Sequence, residues 1–139
     1  MQLVHTINAP VGYVYQTIID SVVYDIKQAT GNTIAAGALL NYEYQKPLGK
    51  RGRGRVKITK ADKNRVYAFE TRTARTTYWV EYALQETQDN GTKITYTENT
   101  AHQQRMQDYN QMLMMLLLGR GRKRRIKMML DAIEQQYQG

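Results

Sequence analysis

The last third of the chain constrains the fold most. No proline interrupts Gln103 to Gln138. The stretch opens on Gln103-Gln104-Arg105-Met106, passes through seven consecutive apolar residues, Met112 to Leu118, and continues through a basic cluster to Tyr137. At 1.5 Å rise per residue it predicts a helix roughly 50 Å long, far beyond the mean helix of a small domain. Such a helix needs a broad surface to lie on, and the strand-rich middle of the chain supplies one.

The helix carries two apolar faces that do not coincide. At about 100° per residue, Ile126, Met129, Leu130, Ile133 and Tyr137 fall in one arc. Met106, Tyr109, Met112, Leu113, Leu116 and Leu117 form another, centred about 100° away on a straight helix. Between them stands Gly119-Arg120-Gly121, where a helix most cheaply bends or takes an extra residue. Either a kink there brings both faces onto one surface, or the helix ends at Leu118 and a second begins near Arg122. All-round apolarity at Met112 to Leu118 also exceeds what one sheet covers. That segment is buried from two sides, reaches a partner subunit in a homodimer, or lines a cavity.

At 139 residues the chain reads as one domain, large enough to bury about two-thirds of its unfolded surface. With no cysteine, disulfides, thiolate metal sites and thiol nucleophiles are excluded. The amino terminus lacks the basic and long apolar regions of a signal peptide. Seven apolar residues fall far short of the ~20 that span a bilayer. A soluble cytoplasmic protein is the expectation. The net charge of +8 speaks to partners rather than to fold. It gathers in two tracts, Lys46, Lys50, Arg51, Arg53, Arg55 and Lys57, and then Arg120, Arg122, Lys123, Arg124, Arg125 and Lys127. Eleven tyrosines against one Phe and one Trp favour aromatic bodies whose hydroxyls keep a partner or water.

Taken in order, Gln2 to Asn8 alternates Leu3, His5 and Ile7 against Gln2, Val4 and Thr6, predicting a strand. Asn8 suits a helix cap and Pro10 a first turn. One short helix is predicted to about Asp20, with Val14 and Ile18 inward. A second, capped by Asp20 or Ser21, turns Val22, Val23, Ile26 and Ala29 inward and stops at Gly31. From Gly37 the period becomes two. Leu40, Tyr42 and Tyr44 share a face, and Pro47 to Gly54 is a cationic turn. Val56 and Ile58 lead to a turn at Asp62-Lys63-Asn64. Val66, Ala68 and Glu70 oppose Tyr67, Phe69 and Thr71, and Tyr78, Val80, Tyr82 and Leu84 oppose Thr77, Trp79, Glu81 and Ala83. Asp89-Asn90-Gly91 is a hairpin signal, followed by Ile94 and Tyr96 on the last strand. The sum is an α+β domain, an antiparallel sheet of about six strands gripping a long terminal helix.

Ile7-Asn8-Ala9-Pro10-Val11-Gly12-Tyr13-Val14-Tyr15, followed by Ile18 and Asp20, resembles the START-like superfamily (Bet v 1-like, polyketide cyclase, SRPBCC), with its I-x-A-P strand end and V-[aromatic]-x-x-[aliphatic]-x-D helix. Val80-x-Tyr82-x-Leu84, Asp89-Asn90-Gly91-Thr92 and Ile94-Thr95-Tyr96 resemble its final hairpin. The element order matches over essentially the whole chain. Within the superfamily the chain is most similar to small uncharacterised proteins of Gram-positive bacteria, a domain family with no assigned activity. The resemblance implies a helix-grip fold, a curved sheet around the terminal helix with a cavity between them that holds an apolar or aromatic ligand. Carried over by element, the cavity candidates are Tyr42, Tyr44, Tyr78, Tyr82 and Tyr96 from the sheet, and Met112, Met115 and Leu116 from the helix. The Gly-Arg-Gly interruption and the heavy basic tracts depart from the superfamily and weigh against simple lipid carriage.

Each of these features has a plainer reading. Met and Leu on a long helix are ordinary core residues, although Met also suits a surface that accepts varied partners. Inward tyrosines need hydrogen-bond partners, met either by a wet or ligand-filled cavity or by backbone groups. No spacing ties His5 or His102 to a carboxylate or a nucleophile; they read as a strand residue and a helix-start residue. A cyclase- or hydrolase-like enzyme needs a cavity carboxylate, with Glu70, Glu81 and Glu98 as candidates for a desolvated acid. No catalytic residue is assigned and no cofactor is expected. The ligand spacing of a zinc site is missing, while a carboxylate site for a hard cation stays open.

The functional reading is therefore non-catalytic binding of a small apolar or aromatic molecule. The rival is polyanion binding, to nucleic acid, a phosphorylated ligand or an anionic membrane surface. It would use Arg51, Arg53 and Arg55 in a flexible loop together with Arg120, Arg122, Lys123 and Arg124. The plainer account of both tracts is a solvated charged surface, and no nucleic-acid motif or P-loop accompanies them.

Overall fold

The computed structural model describes residues 1–49, 52–102 and 109–137, with the side chains of residues 102 and 109–122 left out of the description. Strand β1 (Gln2–Ile7) leads into helix α1 (Val11–Thr30) and a 3₁₀ turn (Ala36–Ala38). Strands β2 (Glu43–Pro47), β3 (Arg53–Asp62), β4 (Val66–Arg72), β5 (Thr76–Glu86) and β6 (Thr92–His102) follow, and helix α2 (Tyr109–Gln136) completes the fold. The strands form one antiparallel sheet in the order β1-β6-β5-β4-β3-β2. The first two strands are thus its opposite edges, and α1 connects one edge to the other.

Alternation sorts the strands as the sequence predicts. Leu3 and Ile7 are buried while Val4 between them is half exposed. Val56 and Ile58 on β3, Val80 and Leu84 on β5, and Ile94 and Tyr96 on β6 all turn to the same covered face. A register shift between Ile58 and Lys60 places one extra residue on β3, which bends and twists the strand locally. Asn64 and Asn90 take left-handed backbone at φ 63° and 59°, as tight hairpin turns demand.

The two short helices expected after β1 are one helix of 20 residues. Ser21 does not cap a new start. Its hydroxyl donates to Ile18 O at 2.7 Å, a bond made within a continuing helix. Val14, Ile18, Val22 and Ile26 then repeat every four residues as a single buried stripe. The expected cap at Asn8 is also absent. Pro10 is the N-cap residue, its carbonyl accepting Val14 N–H at 3.0 Å, and Asn8 N–H goes instead to Glu134 Oε1 at 3.1 Å. Gly31 does close the helix, at φ 79° with its N–H on Lys27 O at 2.8 Å.

The alternation expected from Gly37 begins later. Leu39 is fully buried and Leu40 is 51% exposed, because Asn41 turns left-handed at φ 67° and resets the strand phase before β2. At the other end of the sheet His102 closes β6 and does not open a helix.

Helix α2 runs through Gly119 to Gly121 as one element, so a helix ending at Leu118 is not what forms. Its last turns carry the predicted apolar arc. Leu130 and Ile133 are buried, Ile126 is half-buried, and the Tyr137 ring lies 4.8 Å from that of Tyr13. Met129 remains 42% exposed. Polar contacts fix the same turns to the start of the sheet, with His5 Nε2 2.7 Å from Asp131 Oδ1 and the Asn8–Glu134 bond beside it. The homodimer expectation rests on Met112 to Leu118, whose side chains lie outside the described ones.

Leu130 has no exposed surface and joins α1 and α2 in one apolar cluster. Leu130→Ala is expected to lower unfolding stability by ~2–5 kcal/mol, read as a fall in the urea midpoint with little change in slope.

Candidate ligand-binding site

A half-enclosed cleft of about 450 Å³ opens between the inner sheet face and both helices. Its size falls within the ~300–1,000 Å³ typical of small-molecule sites. Each wall follows from the period of its element. On α1, Ile18, Val22 and Asp25 are spaced at i, i+4 and i+7, flanked by Thr17 and Ser21. On α2, Met129, Ala132, Ile133 and Gln136 follow the same helical spacing. The sheet contributes Tyr44 and Lys46 from β2, Val56 from β3, Tyr67 and Phe69 from β4, and Tyr82 from β5.

The sheet wall is largely aromatic. Tyr67, Tyr82 and Tyr96 stand opposite one another across β4, β5 and β6. Ring centroids are 6.2 Å apart for Tyr67–Tyr82 and 5.1 Å for Tyr82–Tyr96, the latter edge-on. Phe69 extends the row at 5.7 Å from Tyr67. These separations suit tilted and edge-to-face contacts between rings.

One corner of the cleft is polar. Asp25 Oδ2 accepts from Tyr44 Oη at 2.6 Å and from Lys46 Nζ at 3.1 Å. Both charged side chains keep part of their surface exposed. The other hydroxyls on the α1 wall are turned to their own helix, Thr17 to Tyr13 O and Ser21 to Ile18 O.

Burial is the main cause that pushes up the Tyr44 hydroxyl pKa, reinforced by its bond to Asp25. Burial likewise raises Tyr67, with Tyr82 adding to it. Tyr82 is pushed up to about 12 by burial and by the negative charge of Glu98. All three tyrosines are therefore neutral hydroxyls at physiological pH, able to donate a proton in a hydrogen bond but not to act as phenolates.

Among the predicted cavity residues, Tyr44 and Tyr82 line the cleft. Tyr42 neighbours Tyr44 at 6.0 Å between rings. Tyr96 sits in a smaller cluster with Leu3 and Val80, and Tyr78 pairs across the sheet with Thr71 and Thr100; none of these three reaches the cleft wall. Met112, Met115 and Leu116 fall on side chains outside the described ones. Sequence reasoning missed Asp25, Lys46, Tyr67, Phe69 and the α1 wall. The alternation of β4 marked Tyr67 and Phe69 as sharing a face, and that was the available signal for them. No local pattern pointed to Asp25.

The candidate acids lie elsewhere. Glu70 pairs with Arg72 at 3.2 Å and Glu81 with Lys60 at 2.7 Å. Glu98 is buried on β6, 3.3 Å from the Tyr96 hydroxyl. Among the described residues Asp25 is the one carboxylate lining the cleft, and no group of three or more His, Asp or Glu is placed to hold a metal. Nor is any described helix long and apolar enough to cross a membrane.

Of the predicted anion-binding residues, the four whose side chains are described lie exposed on two elements. Arg53 and Arg55 are exposed on β3, with Arg55 3.1 Å from Glu43, and Arg55 stands directly opposite Arg72 on β4. Lys123 and Arg124 are exposed on α2 beside Arg125 and Lys127. Arg51 and the side chains of Arg120 and Arg122 lie outside the description.

The sequence pattern of a domain of unknown function, DUF3284, matches residues 1–119. No curated protein matches the chain. Several solved structures share its fold. The protein MLL2253 from Mesorhizobium loti superposes with a TM-score of 0.61 at 12% identity, over 97% of this chain and 93% of that one. Mll3558 from Rhizobium loti gives 0.59 at 16% identity, over 99% and 95%. Ara h 8.0201 gives 0.56 at 12% identity, over 96% and 93%. At such identities the likeness establishes a Bet v 1-like, START-like fold and nothing of activity.

The raised tyrosine pKa values carry a consequence for stability. The folded protein keeps these protons where the unfolded chain, with tyrosines near 10.0, releases them. Their contribution is complete below pH 10 and declines as pH rises through the folded values. Urea midpoints are expected to fall from about pH 10 upward, and Tyr82→Phe is expected to reduce that slope.

Proposed function

Given that the chain belongs to the DUF3284 family, whose members are defined by sequence and not by activity, we propose from the site itself that the protein binds a small apolar or aromatic molecule without transforming it. The observation that carries this reading is the cleft of about 450 Å³, whose sheet wall is largely aromatic and whose helix walls present Ile18, Val22, Met129 and Ile133. A hydrophobic guest placed there gains area removed from water on three sides, which drives binding without any charged contact. Ring faces and edges at tilted angles favour a flat guest. The uncharged dye N-phenyl-1-naphthylamine is expected to brighten on binding to the native protein. Ala132→Trp, which places an indole in the cleft while removing no buried group, is expected to abolish that response with thermal unfolding unchanged. A dye response that survives the substitution would place binding elsewhere.

A second reading rests on a separate observation. Lys123, Arg124, Arg125 and Lys127 are all exposed on α2, and Arg53, Arg55 and Arg72 are exposed on the sheet. Cations held at the surface in this density attract phosphate chains. If they do so here, the affinity for a labelled single-stranded oligonucleotide falls steeply with salt, by ~0.7 log units per log unit of salt for each phosphate neutralised. The combined change of Lys123 and Arg124 to Gln then reduces that slope. Anisotropy that stays flat at low salt excludes this reading.

A further inference from the structure

The polar corner of the cleft selects among apolar guests, and this inference rests on the cleft being a ligand site. Asp25 Oδ2 accepts both Tyr44 Oη and Lys46 Nζ, whereas no donor among the described residues reaches Oδ1. An ammonium carries three donors, and one of those on Lys46 is spent on Asp25. The corner therefore offers an unused acceptor and unused donors side by side, with the charges of carboxylate and ammonium cancelling. An anionic head would meet the Asp25 carboxylate, and a cationic head would meet Lys46. A hydroxyl meets neither objection, because it donates its proton to Oδ1 while its oxygen accepts from Nζ.

We infer that Asp25 and Lys46, held in place by Tyr44, form the head-group subsite of the cleft, and that they select a flat apolar molecule ending in a neutral hydroxyl over the same molecule ending in a carboxylate or an ether. The aromatic row of Tyr67, Phe69 and Tyr82 takes the body, and the corner at the end of β2 takes the hydroxyl. Tyr44 is the positioning residue. Its short bond fixes which carboxylate oxygen is occupied, so Oδ1 is the one left for the guest. Hydrogen bonds to charged groups in a partly desolvated site discriminate strongly against analogues that leave those groups unpaired.

Three matched fluorescent probes test this on the intact chain: 1-hydroxypyrene, 1-methoxypyrene and 1-pyrenecarboxylate. The hydroxyl probe is expected to bind at least about tenfold more tightly than either of the others, as fits one charge-assisted hydrogen bond. Asp25→Asn removes the repulsion and frees the positive charge of Lys46, so the order is expected to reverse in favour of the carboxylate. Lys46→Met is expected to weaken the hydroxyl probe and to leave the carboxylate the poorest of the three. Such opposite shifts do not arise from loss of packing, and the thermal unfolding of each variant checks that it folds. Equal affinities for the three probes, unchanged by Asp25→Asn, overturn the head-group assignment while leaving the cleft as an apolar site. Binding of none of them overturns both.

Discussion

The structure depends on two helices sharing one face of one sheet. Six antiparallel strands present an apolar inner surface too wide for a single helix about 10 Å across. Helix α1 covers part of it with Val14, Ile18, Val22 and Ile26, and the last turns of α2 cover another part with Leu130 and Ile133. The hydrophobic gain of closing this face is non-directional, so it fixes that the helices lie on the sheet without requiring that they meet everywhere. Between them a strip of Tyr67, Phe69 and Tyr82 remains beneath a cleft. The proposed site is thus a product of the main packing interaction and not a separate construction.

The polar corner is maintained by the same arrangement. Asp25 lies near the carboxyl end of α1, one turn beyond Val22, so the stripe that packs the helix also aims the carboxylate over β2. Tyr44 and Lys46 occupy alternate positions on that edge strand and face the same side. A hydroxyl and an ammonium converge on one oxygen because helix and strand periods happen to coincide there. Desolvation then holds Tyr44 in its protonated form, and a neutral phenol is what the bond to Asp25 requires.

Much of the fold was legible in the chain because it is written in local periods. Alternation located β1 and β3 to β6, and the Asn-Gly turn and the capping Gly31 marked ends that need left-handed backbone. Legibility failed where a residue's role is set by a remote partner. Ser21 looks like a helix start, yet the buried stripe from Ile18 to Val22 carries the helix across it. Leu40 looks like the first inward residue of a strand, but Asn41 shifts the phase and hands that place to Leu39. Tyr44 and Tyr82 could be anticipated as inward tyrosines. Asp25 could not, since its partners lie 19 and 21 residues away on another element. The wall formed by α1 was missed for the same reason: an amphipathic helix reveals which face it buries and not what it faces across a gap.

The attachments of α2 are unevenly distributed. Its last turns are fixed by His5–Asp131 and Asn8–Glu134, both at β1 or just beyond it, whereas the cleft lies over β2 to β5. Among the described residues no hydrogen bond joins these turns to β2, β3 or β4. These last turns are therefore pinned by polar contacts along one border, and along the other they face the cleft through Met129, Ala132 and Ile133. Among the described residues, the border of the cleft along these turns is thus shaped by packing and not by directional bonds.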